Sequence, residues 1–290
     1  MRFKHILYLL FVTFLFSSCE DVIDLELDSG RDRLVVDAFL NSDSTVQIIK
    51  LTTTAPYFSN VATPSEDDAT IRVVGPRNTL YNFVNDGNGN YFYDPSDSGP
   101  LDSIGYSYKL ELEYKGVTYT ASSTLNPVPV IDSMTYAFEP STFSSEEGFY
   151  SQFFARDFPG RKDFYWIKPF KNGEPVYKED PAFMILSEDA AFGGDAGDGL
   201  VFILPLRSVI TDDDNPFVVG DVSSVELQSI NSEVFEFLSQ VAATSGNDGL
   251  FAVPPSNIRS NIRDAAGSAQ DEVLGVFSLS AISKFEIIIQ

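Results

Sequence analysis

Cysteine, histidine and tryptophan are nearly absent from this sequence. Its 290 residues contain one of each: Cys19, His5 and Trp166. A disulfide needs two cysteines, so none can form within the chain. Beyond residue 19 there is neither histidine nor cysteine. This excludes Ser–His and Cys–His nucleophilic catalysis, and it excludes zinc sites of the usual ligand types.

Basic residues are also scarce, with 19 Lys and Arg against 42 Asp and Glu. Two of the basic residues, Arg2 and Lys4, lie in the first 18 residues, which hold no acidic residue. The rest of the chain therefore has 17 basic and 42 acidic residues and a net charge of −25. Such a surface repels phosphate backbones and anionic lipid headgroups, so we expect no nucleic-acid partner.

Enzymes that work with carboxylates alone, such as glycosidases, are not excluded by these absences. With 42 acidic residues, however, some pair of carboxylates matches any spacing by chance. We therefore predict that the chain is not an enzyme. A carboxylate-based hydrolase stays a remote alternative.

The sequence has one long apolar run, residues 6–16, which follows Arg2 and Lys4. Eleven residues are too few to cross a bilayer, which takes about 20, but they suit a signal peptide. Ser17 and Ser18 then lead directly to Cys19, which resembles a bacterial lipobox. We predict a lipoprotein signal peptide over residues 1–18 and lipidation of Cys19. The alternatives are an ordinary cleaved signal peptide with a chance cysteine, or an uncleaved membrane helix.

Acidic residues follow the lipidated position at once, with Glu20, Asp21 and Asp24 foremost. This resembles the surface-export signal of Bacteroidota lipoproteins. It predicts an outer-membrane protein that is anchored by its lipid and faces the cell exterior. The alternative is that residues 19–31 are only a solvated acidic tether.

The remaining chain predicts a mainly β fold. Over residues 106–115, aromatic and aliphatic residues alternate with polar ones, which is typical of a half-buried strand. The prolines at 127 and 129 suggest a junction. We predict an N-terminal immunoglobulin-like β-sandwich over residues 32–127 and a second β-rich domain over residues 128–290. Periodicity predicts one helix near residues 232–244, and residues 200–204 predict a buried strand.

Two acidic loops offer candidate oxygen ligands for calcium. Glycines surround Asp195 and Asp198, and the second loop contains Asp212, Asp213 and Asp214. The alternative is that both loops are simply solvated. No other cofactor is predicted, and the sequence identifies no ligand-binding residues.

Two further groups have both a binding and a structural interpretation. Phe164, Tyr165 and Trp166 could form a stacking platform, but alternate residues of a strand face the core. The amides of Asn257 and Asn261 could orient a ligand or cap the backbone of a proline-rich loop.

A series of short motifs follows a fixed order along the chain, at residues 19–25, 33–38, 52–57, 89–91, 105–110, 116–121, 129–133, 255–262 and 274–278. This order resembles a family of Bacteroidota outer-membrane lipoproteins that contain domain of unknown function 4249. The resemblance implies an accessory or binding role beside a TonB-dependent outer-membrane transporter in nutrient capture. The alternative is a structural or adhesive surface lipoprotein.

Overall fold

Sixteen strands are the main secondary structure in the described part of the computed structural model. The structure describes residues 32–55, 62–177, 181–192, 197–245, 258–267 and 273–290. The largest sheet has nine strands. They are β1 (Leu34–Asn41), β2 (Gln47–Thr53), β3 (Ala69–Val74), β4 (Leu80–Gly87), β5 (Asn90–Tyr93), β6 (Ser107–Tyr114), β7 (Val117–Thr124), β14 (Arg263–Asp264) and β15 (Val273–Ser280).

The remaining strands form two smaller sheets. A five-stranded sheet contains β10 (Phe164–Lys171), β11 (Glu174–Pro175), β12 (Ile185–Glu188), β13 (Val222–Ile230) and β16 (Ile282–Ile288), and a two-stranded sheet contains β8 (Ile131–Glu139) and β9 (Gly148–Ala155). Four short helical segments complete the described elements: 3-10 turns at Pro76–Asn78 and Pro181–Phe183, and the helices α1 (Pro95–Ser98) and α2 (Ser232–Ser245).

The strand β6 shows how the sequence pattern becomes a buried face. Tyr108, Leu110, Leu112 and Tyr114 are buried, whereas Lys109 and Glu113 between them are exposed. A turn at residues 115–116 then reverses the chain into β7, which pairs with β6 along its whole length. The alternation predicted from the sequence is confirmed.

The nine-stranded sheet encloses its own core. Its strand order is β14-β7-β6-β3-β4-β5-β2-β1-β15, and inward side chains from β1 through β7 and β15 belong to one apolar cluster. β15, at one end of this order, approaches β7 near the other end, since the Leu279 N–H on β15 donates to the Ser123 hydroxyl on β7 at 3.0 Å. The mainly β fold with a sandwich-like arrangement is thus confirmed.

The sheets do not follow a single boundary in the sequence. After β7 the chain passes through residues 126–129 into the two smaller sheets. It then returns, because β15 pairs in parallel with β1 and β16 joins β13. Residues 32–290 form one compact unit. The division into domains at residues 127 and 128 stays a prediction.

The helix α2 lies where the sequence predicts it. Val234 and Leu238 are buried against Ile230 and Val276. The helix therefore covers the junction between the five-stranded sheet and β15. Among the described residues, no helix has the length and apolar character needed to cross a membrane.

The prediction of a strand at residues 200–204 is wrong. Val201 forms a single bridge with Arg156, and the chain turns from residue 204 onward. Phe202 is buried, but the neighbouring Leu200 and Leu204 are exposed. Pro205 ends the segment and has no N–H to donate to a ladder. An apolar run of this length does not by itself distinguish a strand from a buried turn.

Candidate functional site

The residues predicted to direct lipidation and export lie outside the described residues. These are Cys19, Glu20, Asp21 and Asp24. The calcium candidate Asp195 also lies outside them. The predictions for these five residues stay predictions.

The other calcium candidates are described, and the carboxylates of two of them, Asp198 and Asp212, accept hydrogen bonds from backbone N–H groups. Both carboxylate oxygens of Asp198 accept from the Gly160 N–H, at 2.8 and 3.1 Å. The Asp212 carboxylate accepts from the Asp214 N–H at 3.1 Å. These contacts stabilise turns, and the structure does not bring Asp198, Asp212, Asp213 and Asp214 into a shared cluster of carboxylates.

A different set of carboxylates does cluster. In the described part of the chain, Asp157, Asp163 and Asp189 place ligand oxygens within 4.8 Å of one another. Their exposed fractions are 2%, 5% and 2%. We call this set the aspartate triad.

Strand ends bring the aspartate triad together. Asp157 follows β9, Asp163 precedes β10 and Asp189 follows β12. The antiparallel pairing of β10 with β12 places Asp163 opposite Asp189, and the Asp163 N–H donates to the Asp189 carboxylate at 2.8 Å. Sequence spacing gave no signal for this set, because its members are separated by 6 and 26 residues and share no motif.

Each member of the triad has protein partners. The Arg161 guanidinium forms a fork on Asp163, with Nε at 2.8 and 2.7 Å from the two oxygens. Asp157 accepts from the Tyr165 hydroxyl at 2.5 Å and from the Gly199 N–H at 3.1 Å. Arg161 therefore neutralises the charge of Asp163. The remaining negative charge of the cluster belongs to Asp157 and Asp189.

Burial dominates the electrostatics of the triad. It raises the pKa of Asp157 and the pKa of Asp189, and neighbouring carboxylates raise both further. Burial and the bond to Asp157 also raise the pKa of Tyr165, so its hydroxyl remains a donor. Two close carboxylates in low dielectric favour a bound proton or a hard cation. These are the two chemical roles that the triad supports.

The second candidate site is an open groove. It consists of two depressions of about 730 and 440 Å³ that share Pro175, Tyr177 and Phe183. The hairpin of β10 and β11, the 3-10 turn Pro181–Phe183 and the loop at residues 212–217 form its walls. We call it the aromatic groove. It shares no residue with the aspartate triad.

The aromatic wall of the groove is held in place. The Tyr177 and Phe183 rings stack with centroids 5.9 Å apart and planes within 13°. The Tyr177 hydroxyl donates to the carbonyl oxygens of Val209 and Thr211, at 2.8 and 3.2 Å. Burial raises the pKa of Tyr177 to about 12, with help from the charges of Asp212 and Asp213.

Charged residues also line the larger depression of the groove. The carboxylates are those of Glu174, Asp212 and Asp214. Lys171 also lines it, but its ammonium is held by the side chain of Asn215 at 2.9 Å and the carbonyl of Pro216 at 2.8 Å. The sequence pattern indicated Asp212 and Asp214 as calcium candidates. It gave no sign of the aromatic wall, because Tyr177 and Phe183 lie in separate segments.

The three aromatic residues at the start of β10 do not form a free platform. Tyr165 is fully buried, and Phe164 packs on Phe235 with ring centroids 5.0 Å apart. The ring centroids of Trp166 and Phe39 are 5.4 Å apart, and the Lys168 ammonium lies 3.7 Å from the centre of the Trp166 ring. Core packing accounts for Phe164 and Tyr165, whereas Trp166 also reaches the smaller depression of the groove.

Asn261 has the structural role that was one of its two interpretations. Its side-chain nitrogen donates to the Phe277 carbonyl at 2.8 Å, and its side-chain oxygen accepts from the Phe277 N–H at 2.9 Å. The amide thus pairs with the outer edge of β15. Asn257 lies outside the described residues.

Comparison with known proteins adds a family to these geometric findings. No curated protein matches the chain. The family described as "Domain of unknown function (DUF4249)" matches residues 20–286, which is nearly all of the sequence after the apolar run. The chain belongs to this family of domain-of-unknown-function 4249 proteins.

Proposed function

We propose that this protein is a lipid-anchored binding protein of the outer-membrane surface that works beside a TonB-dependent transporter in nutrient capture. The observation that carries the binding role is the aromatic groove, an open concavity of about 730 and 440 Å³ in its two parts. Ligand sites are typically concave, with apolar walls and a few placed polar groups. The groove has this composition.

The proposed anchoring depends on the first 24 residues. The apolar run at residues 6–16, the small residues before Cys19 and the acidic residues after it support lipidation and export. A bacterial lipoprotein carries several acyl chains, which is enough for stable anchoring. The charge of −25 after residue 18 also supports attachment through the lipid, since the protein surface itself repels anionic headgroups.

The proposed transporter association depends on the resemblance to outer-membrane lipoproteins of the same family. A direct test is therefore needed.

The test isolates the epitope-tagged native lipoprotein from detergent-solubilised outer membranes. We expect a TonB-dependent transporter to be recovered in a reproducible ratio, and we expect protease added to intact cells to cleave the lipoprotein. Cys19→Ala is the matched control, because it keeps the folded body and removes the acceptor thiol. Recovery of the lipoprotein alone, or protection from protease on intact cells, would contradict the proposal.

A structural or adhesive role is the second candidate, and one observation favours it. Phe143 is fully exposed in the turn between β8 and β9. The Thr142 and Ser145 hydroxyls, 2.7 Å apart, stabilise that turn. Gene deletion distinguishes the two roles: loss of adhesion with normal nutrient uptake would favour the adhesive role, and the reverse would favour the binding role.

A further inference from the structure

We propose that the aromatic groove binds a small organic cation through an ammonium group. The inference rests on the proposed binding function and names the ligand class for that site. Three features carry it: the fixed aromatic wall, the carboxylates beside it and the lysine that is already occupied.

The aromatic wall provides a surface for a cation. Phe183 is 58% exposed, so much of its ring is open to solvent, and it stacks on Tyr177 with ring centroids 5.9 Å apart. The two hydrogen bonds of the Tyr177 hydroxyl fix that ring before any ligand arrives. Ammonium groups bind over the faces of aromatic rings because the ring quadrupole is negative there. A wall that is fixed in advance also reduces the entropy lost on binding.

The charges in the groove favour a cation over an anion. Glu174, Asp212 and Asp214 contribute three carboxylates. Lys171 contributes an ammonium to the same depression, but it is 3.4 Å from the Asp221 carboxylate and is bonded to Asn215 and Pro216. The Lys171 charge is thus balanced by a carboxylate outside the groove lining. Lys168 lines only the smaller depression, where its ammonium lies 3.7 Å from the centre of the Trp166 ring. A concavity with negative lining and apolar walls raises the local concentration of cations.

The geometry disfavours calcium in this groove. Calcium needs about six to eight oxygen ligands at short range. The groove aspartates belong to no close carboxylate cluster among the described residues. The rings of Tyr177, Phe183 and Phe217 lining the same space offer a cation no ligand oxygen of that kind. A cation that is weakly hydrated and large fits better.

The experiment measures binding by calorimetry on the full-length lipoprotein in detergent at low salt. Three probes are compared: choline chloride, its uncharged isostere 3,3-dimethyl-1-butanol, and calcium chloride. We expect saturable binding of choline, binding of the alcohol that is weaker by about tenfold or more, and no competition by calcium beyond that of equal ionic strength.

Variants locate the site. We expect Phe183→Ala to weaken choline binding about fivefold and the pair Asp212→Asn with Asp214→Asn to weaken it about tenfold. The pair Asp86→Asn with Asp97→Asn removes the same charge from the nine-stranded sheet side and should leave affinity unchanged. Unaltered thermal unfolding of each variant shows that the fold is intact.

Several results would overturn the inference. These are no saturable choline binding, equal affinity for choline and the alcohol, tighter binding of calcium that displaces choline, or equal weakening by the control pair. None of them bears on lipidation, surface exposure or recovery of a transporter. Failure of the ligand class is therefore distinguishable from failure of the proposed function.

Discussion

Asp189 illustrates how burial changes the effect of a single carboxylate on stability. Its raised pKa means that the folded state binds the proton more tightly than the unfolded state does. The stabilisation from that proton is fully present below the ordinary pKa and is lost as pH rises through the raised value. At neutral pH without a bound cation, the Asp189 charge therefore opposes folding.

Asp189→Asn should remove this unfavourable effect of the Asp189 charge on folding. The new side chain keeps an oxygen to accept from the Asp163 N–H, and asparagine tolerates the positive φ of 53° found here. We expect a higher free energy of unfolding at pH 7 than in the wild type, in the presence of a chelator. We also expect a weaker loss of stability between pH 4 and pH 7, measured by urea denaturation.

The control for Asp189→Asn is Asp94→Asn. Hydrogen bonds from Ser96 lower the pKa of Asp94, so its charge favours folding and its replacement should act in the opposite direction. A destabilised Asp189→Asn at pH 7 in chelator would contradict this account of the triad.

Gly275 is a second position where one residue decides the local structure. It lies in β15 with φ of 95°, opposite Val36 of β1, and a Cβ there would overlap the Val36 carbonyl oxygen. We expect Gly275→Ala to destabilise the protein by about 1–3 kcal/mol or more, measured by chemical denaturation. Gly99→Ala is matched, because Gly99 has φ of 86° and open space around it. Equal effects of both changes would contradict the steric contribution.

At the scale of elements, local patterns predicted β6, β7 and α2 well, because period two and period 3.6 are each set by one buried face. They failed at residues 200–204, where tertiary contacts and Pro205 decide the outcome. They also gave no indication that β15 returns to β1, because strand pairing over more than 230 residues leaves no local signature. The aspartate triad depends on the shorter-range pairing of β10 with β12, and the groove joins the β10–β11 hairpin to the loop at residues 212–217.

Asn261, in the segment before β14, holds β15 through its amide, which pairs with the backbone of Phe277. Asn261→Ala leaves a buried N–H and carbonyl without that partner, which costs about 1–3 kcal/mol. We expect this loss in denaturation and faster hydrogen exchange of the Phe277 amide. Asn261→Asp should be worse, because its carboxylate would face the carbonyl oxygen. Wild-type exchange at Phe277 in the alanine variant would count against this role.

At the scale of the whole molecule, the last two strands join the sheets. β15 completes the nine-stranded sheet beside β1, and β16 pairs with β13 in the five-stranded sheet. Phe277 and Leu279 are buried in the first core. We expect a chain ended at residue 272 to lose cooperative thermal unfolding. A sharp transition in that truncated chain would contradict the view that the C-terminal strands complete the fold.

The charge of the whole molecule completes the functional argument. A net charge of −25 after residue 18 repels anionic headgroups, so the proposed membrane attachment depends on the N-terminal lipid. Cys19 is thus the residue on which the proposed location depends. The sequence predicts its modification directly, whereas the groove could be found only in three dimensions.

The most direct test of the central claim is mass spectrometry of the N-terminal peptide of the protein isolated from its native outer membrane. We predict that the mature chain begins at Cys19 and carries a thioether-linked diacylglycerol with an acylated amino group. A mature N-terminus at another residue, or an unmodified Cys19 thiol, would contradict the account of a lipid-anchored surface protein.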